Sequence, residues 1–525
     1  MTELLSIKEA SKWASEHLKK NVTTSNISYL IQYGKVKKYG NNGTTSVNKY
    51  DLISYYKSYN WQRENEWKKK LGKDLNWALS FDNLKEKDTT KHIHRLHPYK
   101  GKFIPQLVEY FLDNHTDNFK KETYFKKGDI ILDPFSGSGT TLVQANELGM
   151  HAIGIDISAF NSLISNVKIA KVDFVDLQKE LNKITAKLKE FISHSNNTLF
   201  EQELIGKLNI YNKKYFPSPE YKIKVRQKEI DEKSYTKVKE KEFRSIFNNL
   251  IEKYKLEIKQ ETANNFLEKW YLKPVKDEID FVFEQIKNTE NNNTKKILAI
   301  ILSRTMRSCR ATTHADLGTL KNPVMQTYYC RKHGKICKPL FSILSWWERY
   351  SKDTVKRLKE FDKLRNDTFQ IALQGDSRNI DILKKLEKKN KAFAELVKKQ
   401  KIKGIFSSPP YVGLINYHEQ HAYAYDLFGF KRNDELEIGP LYKGQGREAK
   451  NSYIDGIVKV LNNSKKYLQK DYDIFLVAND KYNMYPSIAE KSGMKIVNQY
   501  KRPVLNRTEK NKSAYAEIIF HFKEK

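Results

Sequence analysis

The chain has three cysteines in 525 residues, too few for a disulfide framework and in keeping with a reducing compartment. It has no apolar run near the roughly 18 residues that a membrane-spanning helix needs; the most apolar stretch, Ile297 to Leu302, is far too short. The first residues, MTELLSIKEASKW, lack the basic-then-apolar order of a secretory signal, so export is not expected. Negative charge is scarce: 63 Asp+Glu stand against 95 Lys+Arg, a formal net charge of +32, with a pI near 9.5. An excess of that size concentrates polyanions around the protein and speeds their capture, which makes nucleic acid the expected partner. Lysine-rich composition also arises from AT-rich coding, and charge names no reaction.

What is present is a globular composition. Hydrophobic residues make up 39%, mean hydropathy is −0.71, and the length suggests roughly two to four structural units. Residues 1–60 read as a small module. Ser6-Ile7-Lys8-Glu9 has the form of a capping box ahead of an amphipathic stretch. Thr23-Thr24-Ser25-Asn26 then caps a second helix, with Ile27, Leu30 and Ile31 on one face and Gly34 at its end. The turn Asn41-Asn42-Gly43 predicts a short strand on either side. This order resembles the winged helix-turn-helix of excisionase and MerR-type DNA-binding modules. Residues 61–90 read as a connector, and 91–170 alternate helical and strand patterns, the mark of an α/β unit. Residues 171–365 change to a Lys/Glu/Asn-rich, helical composition, and α/β alternation resumes over 366–525. The expected architecture is one α/β sheet interrupted by a large, mostly helical insertion.

Asp129-Ile130-Ile131-Leu132-Asp133-Pro134-Phe135-Ser136-Gly137-Ser138-Gly139-Thr140-Thr141 is an apolar strand running into a glycine turn, and a helix opens after it. Glycines there let the backbone approach a ligand closely. Ile153-Gly154-Ile155-Asp156 is a second strand with an acid at its carboxyl end, where a doubly wound sheet reads ribose hydroxyls. No Lys follows the glycines as a P-loop requires, and Leu142 takes the place of a third dinucleotide-binding glycine. A nucleoside ligand fits better. Further on, Gly404-Ile405-Phe406-Ser407 predicts a strand closed by Ser408-Pro409-Pro410-Tyr411. An exocyclic amino group is a poor nucleophile, because its lone pair is delocalised into the base. Acceptors at a serine hydroxyl and a proline-stiffened backbone carbonyl can hold its two N–H groups and turn the lone pair outward.

The string DPFSGSGTT resembles motif I, and Ser408-Pro409-Pro410-Tyr411 motif IV, of the S-adenosylmethionine-dependent DNA amino-methyltransferases. Leu373-Gln374-Gly375-Asp376 resembles their motif III, and His97-Pro98-Tyr99-Lys100-Gly101-Lys102-Phe103-Ile104-Pro105 their motif X. The resemblance implies a Rossmann-like class I methyltransferase sheet, with the motif order placing target recognition in the insertion. It implies that Asp133, Pro134, Phe135, Ser136, Gly137, Ser138, Gly139 and Thr140, with Asp156, Asp376 and Ser407, hold S-adenosyl-L-methionine. Ser408, Pro409, Pro410 and Tyr411 would form the catalytic loop, Tyr411 stacking on a base swung out of duplex DNA. Asp473-Ile474-Phe475-Leu476-Val477 and Ala516-Glu517-Ile518-Ile519-Phe520 read as two late strands, and Asn506-Arg507, in the loop before the last of them, would touch that base. In this family S-P-P-Y more often accompanies cytosine N4 methylation than adenine N6. N6-adenine remains the alternative; RNA amino-methylation and an inactive DNA-binding regulator are weaker rivals. The implied setting is the bacterial cytoplasm, at the nucleoid, in restriction–modification with a possible cognate endonuclease.

Within the insertion, Tyr221-Lys222-Ile223-Lys224-Val225-Arg226 reads as a basic strand-like piece, and Arg304, Arg307 and Arg310 as possible contacts to guanine or phosphate. Cys309, Cys330, His333 and Cys337 could make a small zinc site. Their spacing is not the tight paired form, and free buried cysteines are common, so no metal is assigned.

Overall fold

The computed structural model describes residues 3–18, 21–32, 35–39, 45–82, 84–99, 101–314, 316, 320–505 and 514–525. Its strands are β1 (Leu4–Ser6), β2 (Ser46–Asn48), β3 (Ile130–Asp133), β4 (His151–Asp156), β5 (Tyr328–Cys330), β6 (Lys335–Cys337), β7 (Gln370–Gln374), β8 (Ile402–Ser407), β9 (Leu468–Ala478), β10 (Met494–Pro503) and β11 (Ala516–Glu524). Seven of them form one sheet in the order β10-β11-β9-β8-β3-β4-β7. β7, β4, β3, β8 and β9 run parallel, and β11 lies antiparallel between β9 and β10.

The parallel strands read as unbroken apolar runs because both faces are covered. Ile131, Ala152, Phe406, Phe475 and Val477 face one core. Ile130, Leu132, Ile153, Ile405, Ile474 and Leu476, alternating with them, face the other. The chain leaves β3 towards β4 on one side and returns as β8 on the other. The carboxyl ends of β3 and β8 therefore border the crevice where open α/β sheets bind ligands.

Between β4 and β7 in the chain lies the insertion, built of helices that include Phe174–Ser193, Asn197–Tyr215, Glu232–Tyr254, Lys273–Lys287, Asn292–Cys309 and Leu344–Asp362, plus the β5–β6 hairpin. Asn291 caps the helix Asn292–Cys309, accepting from the amides of Asn293 and Thr294. Residues 221–226 are helical, within Glu220–Arg226, not a strand. The packed positions Tyr221 and Val225 stand four apart, a helical spacing, and the intervening Ile223 is exposed. Arg304 is not available to nucleic acid. It is buried, donates to Asp353 at 2.6 Å and Thr354 at 2.7 Å, and lies over the Tyr350 ring. Arg310 is likewise buried.

At the N-terminal end, Ser6 and Glu9 form the expected capping box for the helix Ile7–His17. A second helix spans Thr24–Gln32, and Ala10, Ala14, Ile27, Leu30, Val47 and Leu52 make a separate small core. The strand expected after the turn pairs with β1 at the start of the module, while Tyr39 makes a single bridge to Ser46. Gly34 and the turn at Asn41-Asn42-Gly43 lie outside the described residues. The expected boundary at 60/61 falls inside the helix Lys49–Leu71. Downstream of that helix the chain docks on β10: Asn76 N–H donates to Lys501 at 2.7 Å, and Arg502 donates to Leu79 at 3.2 Å. β10 has no counterpart among the expected strands. Its sequence, MKIVNQYKRP, is too polar to stand out, because it is an edge strand.

Candidate active site

The glycine turn after β3 begins with Asp133, whose fully buried side chain accepts the hydroxyl of Ser407 at 2.5 Å and the amide of Phe135 at 3.2 Å. Burial pushes the Asp133 carboxyl up to about 6. Gly137 and Gly139 have φ of +49° and +74°, a region that side chains disfavour. There is also no room for one: a Cβ at Gly137 would lie 3.0 Å from the Tyr99 ring, and one at Gly139 2.8 Å from Ser165. From beneath, the buried ammonium of Lys168 donates to the Ser138 carbonyl at 2.6 Å. Desolvation holds that amine well below the usual lysine range.

At the end of β4, the Asp156 carboxylate accepts from Gly137 N at 2.9 Å, Ser158 N at 2.8 Å and Asn161 Nδ2 at 3.1 Å. Burial raises its carboxyl to about 6. After β7, Asp376 is clasped by Arg378 through bonds of 2.9 and 2.7 Å. Ser377 donates to the Pro134 carbonyl at 2.6 Å, tying this turn to the glycine turn. After β8, the Ser408 hydroxyl donates to the Val477 carbonyl of β9 at 3.0 Å.

These turns surround one cleft, open to solvent. Pro134, Phe135, Ser136, Gly137, Ser138, Thr140, Asp156 and Asp376 line it, together with Ser408 and Pro410. The glycine turn and the S-P-P-Y loop, far apart in sequence, thus face the same space. Asp133, Gly139 and Ser407 do not line it; they support its wall from behind. Pro409 and Tyr411 are also absent from the lining. Tyr411 packs against the core on one sheet face and donates its hydroxyl to Glu517 of β11 at 2.9 Å. Asn506-Arg507 and Lys100 lie outside the described residues.

Tyr99, Gly101, Lys102 and Phe103, from the stretch His97 to Pro105, also line it, whereas sequence reasoning missed Asn161, Tyr417, Leu436, Glu437 and Ile438, which line it as well. Asn161 carries no motif beyond its place in the first turn of the helix Ala159–Ile169 that follows β4. Glu437 sits in an irregular segment and is recognisable only by its burial, where it accepts from the amides of His418 at 2.8 Å and Tyr417 at 3.2 Å. Three buried polar atoms of the lining, Ser136 Oγ, Ser138 Oγ and Asn161 Oδ1, have no hydrogen-bond partner among the described residues. Buried polar groups are normally paired, so these are partners for a polar ligand. With the close backbone at Gly137 and the acid at Asp156, they suit a nucleoside with a charged amino-acid tail.

A cleft at the strand-order reversal, with a glycine turn on one side and an acid at the adjacent strand end, defines an α/β methyltransferase of the class I type. A family model described as DNA methylase, for N6 and N4 methylation, matches residues 7–167. The type II methyltransferase M.MjaII of Methanocaldococcus jannaschii is 48% identical over 528 aligned residues, covering 99% of this chain and 97% of that protein. M.MvaI of Kocuria varians is 32% identical over 24% of this chain and 26% of its own. M.BsoBI of Geobacillus stearothermophilus is 46% identical over 12% and 11%. The chain belongs to the type II DNA methyltransferases, amino-methylating enzymes whose methyl donor is S-adenosyl-L-methionine. Among the described residues no helix is long and apolar enough to cross a membrane.

Proposed function

We propose that this enzyme methylates the exocyclic N4 of cytosine at specific sites in double-stranded DNA, as the modifying half of a restriction–modification pair whose cognate endonuclease shares the site. The observation that carries the reading is the Ser408 hydroxyl. Its proton is committed to the Val477 carbonyl, so its lone pairs are left for the cleft. An oxygen so placed can accept an N–H of a cytosine amino group and turn the nitrogen lone pair outward. The Pro-Pro backbone offers a second acceptor with no competing amide.

S-adenosyl-L-methionine supplies an electrophilic methyl group on a sulfonium centre. Asp156 would accept the ribose hydroxyls, Gly137 and Ser138 would bring backbone against the ligand, and Asp376, with Arg378, would border the adenine. The target base is buried in the duplex and must be extruded to reach the cleft. Tyr411 could stack on it only by leaving Glu517. Positioning then provides most of the rate enhancement. Residues 171–365 are the candidate for reading bases, and the N-terminal helices with the β1–β2 pair are a candidate auxiliary DNA contact. The net charge of +32 supports a polyanionic partner for both.

The test is nucleoside analysis of duplex DNA and of RNA after incubation with the enzyme and labelled cofactor. N4-methylcytosine in the duplex is the expected product. N6-methyladenine would overturn the choice of base, and label confined to RNA would overturn the choice of substrate.

A further inference from the structure

The inserted region carries a second constellation that the methyl-transfer reading does not use. Cys330 ends β5, Cys337 ends β6, and His333 sits in the turn between them, whose Gly334 has φ of +65°. His314 arrives from the segment after the helix Asn292–Cys309. One ligand atom from each of these four residues lies within 4.8 Å of all the others. His333 Nδ1 is 3.5 Å from Cys337 Sγ. With Zn–S near 2.3 Å and Zn–N near 2.05 Å, the S···N edge of a tetrahedral site is also about 3.5 Å. The Tyr328 hydroxyl bonds His314 Nδ1 at 2.7 Å, which orients that ring and leaves Nε2 for a metal, as partners of ligating histidines do.

We propose that His314, Cys330, His333 and Cys337 hold one structural Zn²⁺. Two thiolates and two imidazoles in a tetrahedron select zinc among the common cations. Four protein ligands leave no open position, so the ion serves folding and not catalysis. Each thiol gives up its proton when the ion binds. The hairpin has reason to need it. Its strands are three residues each, and its own apolar cluster consists of Tyr328, Cys330, Cys337 and the partly buried Val324. The other face of the hairpin packs Ile336 and Tyr329 on the main core, so the ion would hold the ligand-bearing face and the turn, where a two-stranded hairpin has little else to order it. The third cysteine, Cys309, grouped with the others by sequence, is packed in the main core and stands outside the set. His314 takes its place, so the ion would tie the hairpin to the chain leaving the long helix.

The experiment is elemental analysis of the full-length chain, purified without chelator or polyhistidine tag, followed by exchange with Co²⁺. One zinc per chain is expected, with the visible bands of tetrahedral cobalt and a thiolate-to-cobalt charge-transfer band after exchange. Cys330→Ser with Cys337→Ser should lose both signals, His314→Ala, which removes a ligand and opens the fourth position, should weaken metal binding and shift the cobalt spectrum, and Cys309→Ala should keep metal and spectrum. Should the double variant not fold, the wild-type metal content and cobalt spectrum decide alone. A metal-free wild-type chain that takes up no cobalt, a Cys330–Cys337 disulfide in its place, or loss of the metal in Cys309→Ala would each overturn the site.

Discussion

The hydroxyl of Ser407 donates to the carboxylate of Asp133 at 2.5 Å, across 274 positions of sequence. The bond joins the ends of β8 and β3 directly beneath the cleft. Without it, a fully buried carboxylate loses its closest donor. Ser407→Ala should therefore lower stability by about 1–3 kcal/mol, read by urea unfolding, while Ser407→Thr should keep most of it.

Asp156 provides a pH test. Its carboxyl is raised to about 6 by burial, and ribose hydroxyls need the charged form as acceptor. Cofactor affinity should be flat above pH 6 and fall up to tenfold per unit below it, measured by calorimetry. Asp156→Asn should bind weakly with no such slope. For folding the sign is opposite. The native chain keeps a proton that the unfolded chain loses between about pH 4 and 6, so this group's contribution to stability declines as pH rises through that window. Asp133 titrates in the same range, and the Asp156→Asn variant separates the two.

Ser408→Ala should reduce turnover by ~10²–10³-fold, the usual cost of a lost transition-state partner, with cofactor binding unchanged. Tyr411→Phe keeps the ring and removes the bond to Glu517, and should cost less than about tenfold. Ser408→Ala combined with Tyr411→Ala should abolish transfer while the cofactor still binds. Single-turnover kinetics beside calorimetry makes the comparison; turnover retained in the double variant would mean that this loop is not catalytic.

Arg304→Ala tests a residue whose charge is used internally. It should destabilise the insertion by about 2 kcal/mol, less than a fully isolated buried pair would lose, because Arg357 continues to hold Asp353 at 2.9 Å. The salt dependence of DNA affinity should not change, since the slope counts phosphate contacts only.

The residues that were legible in the sequence share one property: their role is local. DPFSGSG is readable because glycine angles and a strand-to-helix turn are properties of a few adjacent residues, and the same holds for the Ser6–Glu9 cap. Asp376 and Ser408 follow short strands and were found the same way. Residues whose role depends on a distant partner were not readable. Arg304 looks like a phosphate contact until Asp353 and Tyr350 are seen beside it, and the bond from Tyr411 to Glu517, 106 positions away, has no signal in the sequence. Glu437 has no pattern at all, since its place in the cleft is set by the fold of an irregular segment. His314, a ligand of the proposed zinc site, has no spacing signal either, and Cys309, nearer in type, faces the core.

β4 and β7 pair in parallel, Ile155 beside Leu373, with the whole inserted region synthesised between them. β3 waits longer still for its other neighbour, β8. On the proposed reading, a chain truncated before Ile402 would lack both β8 and the loop that borders the cleft opposite the glycine turn.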